Sequence, residues 1–363
     1  MKKILWLSWK DIKNPQAGGA EVVSRELMRR LIIDGNEVIL LTSGWRNCVR
    51  EEIVNGCRVI RLGNRWVVYL CVWWYYRKNL KDWADIVIDE MNTVPFFARF
   101  YTRGINFLFV HQLTRVIWFY EIFFPLTIIG YLLEPAYLWL LRRSKVITVS
   151  ESTKKDLMKF GFKAENIAII SEGIEWTPLV DLQSATKFEQ PTIVSVGAMR
   201  AMKQTDHIIK AYLLAKKKIK DLRLIIAGQP VGKFGKKVMK MVGENNIEYL
   251  GRISDEEKRE LLAKAHLLVS ASVKEGWGLV VTEANACGTP AIGYNTDGLR
   301  DSIKDNETGL IACKNNPDSL AEGMVKYFSD ELLQKRLSEK AWDWSKKINF
   351  TDSYRDFKKI LEV

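Results

Sequence analysis

Cysteine is sparse and unpatterned in this chain: Cys48, Cys57, Cys71, Cys287 and Cys313 are five in number, and none forms a CxxC pair. An odd, scattered set excludes a disulfide framework or a cysteine zinc site as the organising element. Histidine is scarcer still, at three, and no DxD carboxylate pair occurs. Long apolar runs are also missing. The longest uncharged one, Ile122 to Leu133, has twelve residues, against the roughly 18 needed to cross a bilayer, so no transmembrane helix is expected. The opening MKKILWLSWKD is basic and then apolar, but the run is short and has no small-residue cleavage site, so it reads as a first strand and a cytoplasmic location is expected.

What the chain does hold is 363 residues, 47% of them hydrophobic and 27% charged, the composition of an ordinary folded protein of about two domains. Lysine and arginine number 55 against 43 acidic residues, a net charge of +12, which points to an anionic partner: phosphate, nucleic acid or an anionic membrane.

Short β-branched runs alternate with amphipathic stretches, the pattern of repeated βα units and parallel sheets. Strands are expected at Lys3 to Trp9, Glu37 to Thr42, Asp85 to Asp89, Phe107 to His111, Val146 to Val149 and Ile167 to Ile170, then at Thr192 to Val196, Arg223 to Ala227, Leu267 to Ser270 and Pro290 to Gly293. Ala20 to Gly35 sets Val23, Leu27 and Leu31 on one helical face with a glycine stop, and Ser152 to Gly161 reads as a second helix. Ser254 and Glu257 form a capping box for a third. Strand patterning lapses over Ser171 to Pro191, which divides the chain into domains at 1–175 and 176–344. The last stretch, 345–363, is too apolar for a free tail and is expected to pack back on the first domain.

The segment with most chemical content is EGWGLVVTEANACG, Glu275 to Gly288. Glu275 falls just past a strand in a glycine turn, and Glu283 lies in the first turns of a helix starting at Gly278 or Leu279. Both carboxylates then sit at the C-terminal edge of a parallel sheet, where open α/β folds bind ligands. Gly276 and Gly278 leave backbone N–H groups accessible beside the positive end of a helix dipole, which suits an anion.

Glu275 and Glu283 seven residues apart, within EGWGL and ACGTPAIG, resemble the donor site of the family 4 retaining glycosyltransferases. The resemblance implies a GT-B fold: two Rossmann-like α/β domains facing across a cleft, with 1–175 (joined by the C-terminal helix 345–363) as the acceptor side and 176–344 as the nucleotide-sugar donor-binding domain. It implies that Glu275 contacts the donor sugar and Glu283 the nucleotide ribose, with Gly276, Trp277, Gly278 and Leu279 lining the donor. VGAMRAMKQTDHII, Val196 to Ile209, is similar to the family's G-R-L-x-x-x-K-G segment. Lys203 keeps the lysine register, Ala198 stands at the usual arginine position, and Arg200 follows two residues later. Two cations there suit a leaving diphosphate. The glycines of AGGAE, Gly18 and Gly19, resemble the loop bordering the donor phosphates and acceptor space. His111, at a strand end, matches a histidine beside the donor sugar. Where the family reads P-N-G near the close of the first domain, this chain has Ser171, Glu172 and Gly173.

Two blocks are unlike the rest. WVVYLCVWWYY, Trp66 to Tyr76, and the stretch Val116 to Leu141 hold fourteen of the forty aromatic residues. Arg58, Arg61, Arg65, Arg77 and Lys78 flank the first, and Arg142, Arg143 and Lys145 the second. Aromatic wedges with flanking cations suit an interfacial membrane contact, through 66–78 and 116–145. Nucleic acid is disfavoured, because the aromatics cluster in apolar blocks instead of alternating with Lys and Arg.

The expected activity is transfer of a sugar from a nucleotide-diphosphate sugar to an acceptor hydroxyl, with retention and without a metal or cofactor, since Lys203, Arg200 and helix N-termini supply the positive charge. Glu275, Lys203 and His111 are the expected catalytic residues. The membrane-facing blocks favour a lipid-linked glycan or glycolipid acceptor and a peripheral position on the inner face of the cell membrane. A non-catalytic nucleotide-sugar-binding membrane scaffold, and a GT-B sugar-nucleotide epimerase or hydrolase, are the alternatives.

Overall fold

The computed structural model describes residues 1–182 and 186–362, so the segment 183–185 of the interdomain stretch lies outside the described residues. The chain forms two compact units. The first comprises Met1–Arg115, Ile129–Gly173 and the residues from Phe350 onward; the second comprises Val116–Ile128 and Ile174–Asn349. The division within 171–191 thus falls at Gly173/Ile174. The structure differs from the sequence reading in giving Val116–Ile128 to the second unit.

The first unit is built on strands β1 (Lys3–Leu7), β2 (Glu37–Thr42), β3 (Glu51–Val54), β4 (Cys57–Arg61), β5 (Ile86–Met91), β6 (Ile105–Val110), β7 (Lys145–Thr148) and β8 (Ile167–Ile169). Their order is β3-β4-β2-β1-β5-β6-β7-β8. All pairs are parallel except β3 with β4. β1 is buried from Ile4 to Leu7 and β5 along its whole length, as strands covered on both faces must be. The β3–β4 hairpin turns on Asn55 and Gly56, both at positive φ, the pairing that a two-residue hairpin loop favours.

Helix Gly19–Ile33 covers one face with Val23, Leu27 and Leu31 and ends before Gly35 at φ +84°. Helix Phe350–Leu361 buries Phe357 against Trp6 and Phe109, ring centroids 5.9 and 6.4 Å away. Its Tyr354 hydroxyl and Lys358 ammonium both donate to Asp34, at 2.9 and 2.6 Å. The C-terminal helix is therefore part of the first unit's core.

The second unit has strands β9 (Thr192–Val196), β10 (Arg223–Ala227), β11 (Glu248–Gly251), β12 (Leu267–Ser270), β13 (Ala291–Gly293) and β14 (Gly309–Ile311), ordered β11-β10-β9-β12-β13-β14 and all parallel. The chain runs outward from β9 to β11 and then returns to place β12 on the other side of β9. In the first unit it does the same around β1, with β2 on one side and β5 on the other. Such reversals are the topological switch points at which open sheets leave a crevice beyond the strands' C-terminal ends.

Candidate active site

In the second unit the loops after β9 and β12 meet at the switch point. Gly197 and Gly228 close β9 and β10 at φ +141° and +144°. A Cβ on Gly228 would lie 1.9 Å from the Gly197 carbonyl oxygen, so glycine is required there by contact as well as by dihedral. Arg200 leads into the turn Ala201–Lys203, Gln204 takes a left-handed conformation, and helix Thr205–Lys216 follows. The Val273 N–H donates to the Met202 carbonyl at 2.9 Å, tying the two loops together.

Glu275 is fixed from its own backbone. Its N–H donates to the Asp297 carbonyl at 3.0 Å, and a Cβ on Gly298, at φ +78°, would lie 2.4 Å from its carbonyl oxygen. Lys274 is buried with its ammonium 3.2 Å from Asp297 Oδ2. Beyond Glu275 and Gly276, Trp277 is buried and donates from Nε1 to Thr282 Oγ1 at 2.8 Å. Gly278, at φ +96°, starts the helix Leu279–Ala286 at the position read from the sequence.

The structure brings Lys203 and Glu275 into direct contact, Nζ to Oε1, across 72 positions of sequence. Arg200 is nearby in chain but differently engaged: its Nε lies 3.5 Å from Glu121 Oε2, and Glu121 also accepts from the Met202 N–H at 3.4 Å. Glu283 does not join Glu275. It pairs with Lys258 at 2.8 Å, and Lys258 in turn lies over the Trp176 ring. Burial raises the Glu283 carboxyl above its usual range, with Lys258 opposing. Sequence reasoning missed Lys258, Glu121 and Asp297. The capping box at Ser254 placed Lys258 on a first helical turn, but its partner is set by packing between helices.

In the first unit Gly18 is extended, at φ −141°, and caps helix Gly19–Ile33 with its N–H donated to Glu21 Oε2 at 2.6 Å. The Gly18 amide is therefore occupied, and the left-handed freedom of glycine is not used. Glu21 is buried 3.2 Å from the Lys10 ammonium, and burial raises its carboxyl despite that cation.

The structure buries His111, the side chain that the resemblance sets beside the donor sugar, with both ring nitrogens engaged. Nδ1 lies 3.1 Å from Glu172 and Nε2 3.2 Å from Glu90. Glu90 also accepts from Trp6 Nε1 at 2.6 Å. Burial by itself would lower the imidazole pKa; the two carboxylates outweigh it and push the value up to about 10. Carboxylates 3.1 and 3.2 Å from its two ring nitrogens favour the protonated form of His111, in which both nitrogens donate. Glu172, where the family pattern has asparagine, is one of the two residues that hold it.

Two adjoining family models cover most of the sequence: Glycosyltransferase Family 4 matches residues 17–176, and Glycosyl transferases group 1 matches 181–344. The chain belongs to the family 4 glycosyltransferases. As a family 4 chain it is similar to the uncharacterized glycosyltransferase MJ1178 of Methanocaldococcus jannaschii, 35% identical over 170 residues, 46% of each chain. It is also similar to the N-acetylgalactosamine-N,N'-diacetylbacillosaminyl-diphospho-undecaprenol 4-alpha-N-acetylgalactosaminyltransferase of Campylobacter jejuni, 30% identical over 199 residues, 53% of this chain and 52% of that one. The match spans between 46% and 63% of the length of the first curated relatives. Sucrose-phosphate synthase from Thermosynechococcus elongatus superposes with a TM-score of 0.82 at 19% identity, covering 100% of this chain and 98% of that one. The fold is GT-B.

In this family 4 chain the raised pKa of His111 links stability to pH. The stabilisation is complete below the ordinary imidazole value of 6.5 and is lost as pH rises through about 10. His111→Gln should lower the thermal unfolding midpoint at pH 7, because two carboxylates lose their cation. The gap from wild type should narrow steadily toward pH 10 in scans by differential calorimetry. A gap that stays constant from pH 7 to 10 would show that the imidazolium is not what the carboxylates hold.

Proposed function

We propose that this protein is a retaining glycosyltransferase that moves a sugar from a nucleoside-diphosphate sugar onto a hydroxyl of a lipid-linked glycan or glycolipid. The contact between Lys203 and Glu275 at the second unit's switch point carries the proposal. Lys203 is partly exposed, so an arriving diphosphate can take the ammonium from the carboxylate. That exchange costs little, since one charge-assisted hydrogen bond replaces another. It also frees Glu275 to accept from sugar hydroxyls.

As the glycosidic bond breaks, negative charge grows on the leaving diphosphate. Lys203 meets it, with Arg200, whose Nε lies 3.5 Å from Glu121, as the second cation for the same group. With these cations supplied by the chain, the reaction runs without a metal. Glu283 accepts from the nucleotide ribose, with Lys258 holding its carboxylate. In the same-face mechanism the acceptor hydroxyl attacks from the side the diphosphate leaves and gives its proton to a leaving-group oxygen. No protein base is then needed, which agrees with an imidazolium at His111.

The exposed surface supports the acceptor reading and a peripheral position on the inner face of the cell membrane. Helix Val68–Tyr75 buries Val68 and Val72 but leaves Leu70 72% and Trp74 58% exposed. Helix Leu126–Leu141 carries Ile128, Ile129, Leu132, Leu133, Trp139 and Leu140 exposed at helical spacing. Among the described residues no helix is long and apolar enough to cross a membrane. Arg77, Lys78 and Arg142 lie over Trp73, Trp74 and Trp139, respectively, the arrangement of an amphipathic interfacial anchor. The Campylobacter relative is named for a lipid-diphosphate-linked acceptor.

Lys203→Ala and Glu275→Ala should each lower the transfer rate at least about tenfold, or about 1.4 kcal/mol of transition-state stabilisation, without changing the unfolding midpoint much. NMR of the fresh product should show the donor's anomeric configuration, and a chelator should leave the rate unchanged. Wild-type rates in both variants would remove the site assignment, and an inverted product would remove the mechanism.

Co-sedimentation with anionic phosphatidylglycerol vesicles should retain the protein at low salt and release part of it at high salt. The double change Leu132→Ser and Leu133→Ser should weaken vesicle binding at least about tenfold, from the apolar area lost. Failure of the wild-type protein to bind any vesicle would defeat the membrane reading.

A further inference from the structure

Positive charge in the second unit is gathered into one stretch. Residues 205–244 hold ten basic and three acidic residues, a net of +7, whereas the rest of the unit has seventeen basic and twenty-one acidic residues, a net of −4. These forty residues carry more than half of the chain's net charge of +12. None of the ten cations belongs to the Lys203–Glu275 site.

Topology puts them together in space. Helix Thr205–Lys216 links β9 to β10, and helix Gly232–Glu244 links β10 to β11. Two successive right-handed crossovers that run the same way across a parallel sheet place both helices on one face. They pack side by side there, with Ile208, Tyr212, Val238 and Val242 in one core. The outward sides are left to lysine. Lys233, Lys236, Lys237 and Lys240 recur at i, i+3, i+4 and i+7, which makes a single helical stripe, opposite the buried Gly235, Val238 and Val242. Asp206 joins the two helices: its Oδ2 lies 2.7 Å from the Lys237 ammonium and 3.9 Å from that of Lys210. Lys216 to Lys218 and Lys220 extend the charge past the first helix's C-terminal end, where the helix dipole favours cations. All nine lysines are exposed.

The side chains that do not accompany these lysines narrow the partner. Val231, 36% exposed, is the one large apolar residue of this stretch on the surface, so nothing here wedges into hydrocarbon as Leu70 and Trp74 of the first unit can. The two aromatic rings, Tyr212 and Phe234, pack on the core with Lys216 and Lys237 over them, which leaves no platform for stacked nucleic-acid bases. The one arginine, Arg223, is paired with Glu248 at 2.6 Å, so forked recognition of a single phosphate has no residue to perform it. Nine flexible ammonium groups spread over two helices match a surface of many negative charges at no fixed positions. A leaflet of anionic lipid is such a surface, and each lysine brought close to it strengthens partitioning about fivefold, equivalent to about 1 kcal/mol. The net negative charge on the rest of the unit turns the other sides away from it.

We propose that this lysine face is a membrane contact of the second unit that binds the headgroups of anionic lipids without inserting between their chains. It deepens the peripheral position proposed above and rests on it: the aromatic helices of the first unit insert, and the lysine face supplies the salt-sensitive part of the binding.

The test is co-sedimentation of the full chain with vesicles of phosphatidylcholine alone and of phosphatidylcholine mixed with phosphatidylglycerol, over a series of salt concentrations. The variant carries Lys233→Gln, Lys236→Gln and Lys240→Gln together. Lys210 and Lys237 stay in place, so Asp206 keeps its partners and the unfolding midpoint should not move. The variant should bind the mixed vesicles at least about tenfold more weakly than the wild type, with a shallower dependence on salt, and should bind pure phosphatidylcholine as the wild type does. Equal binding of the two proteins to mixed vesicles would overturn the lysine face and leave the first unit's anchor standing. A wild-type protein that binds neither vesicle would overturn the face together with the peripheral reading. Binding of a DNA duplex that the variant loses, with vesicle binding unchanged, would give the face to nucleic acid and overturn the proposal.

Discussion

Parallel strand pairing constrains the architecture more than any other interaction in this protein. A parallel neighbour can be reached only by a return across the sheet, so within each unit the C-terminal strand ends fall on one edge. In both sheets the first strand, β1 or β9, lies where the strand order reverses. The crevice beyond that reversal is where loops from distant parts of the chain converge. Lys203 and Glu275 meet there in the second unit, and His111 follows β6 at the corresponding edge of the first.

Charge is handled differently at the two edges. β5 is buried along its whole length although it includes Asp89 and Glu90. Glu90 is held by Trp6 and the His111 imidazolium, with Glu172 on the imidazolium's far side. A fully enclosed group of this kind is costly to break and poorly suited to exchange partners. The Lys203–Glu275 pair is partly exposed, so its attraction is screened by solvent and easily given up. That difference in exposure separates a group that fixes the scaffold from one that can trade its partner for a ligand.

Features set by neighbouring residues were legible in the sequence. Gly278 as the helix start, Gly35 as a helix stop and the Ser254–Glu257 cap each depend on a few adjacent residues, and each appears where local rules put it. The Asn55–Gly56 turn carried an equally local signal, yet the β3–β4 hairpin was not read because its strands are short and mostly polar. β11 and β14 were missed as well. The assignment of Val116–Ile128 to the second unit, and with it the contact of Glu121 with Arg200, depends on tertiary packing that no local pattern encodes. His111 shows the limit most clearly: its strand-end position was legible, but the two carboxylates that flank it lie 21 and 61 residues away.

The account depends on the second unit's edge holding a nucleoside-diphosphate sugar through Lys203. Titration calorimetry of the full chain with UDP-, GDP- and ADP-sugars tests this directly, run on the wild type and on Lys203→Met. One of the three nucleotides should bind the wild type, and its affinity should fall at least about tenfold in the variant. No binding by any of them, or equal affinity in both proteins, would contradict the account.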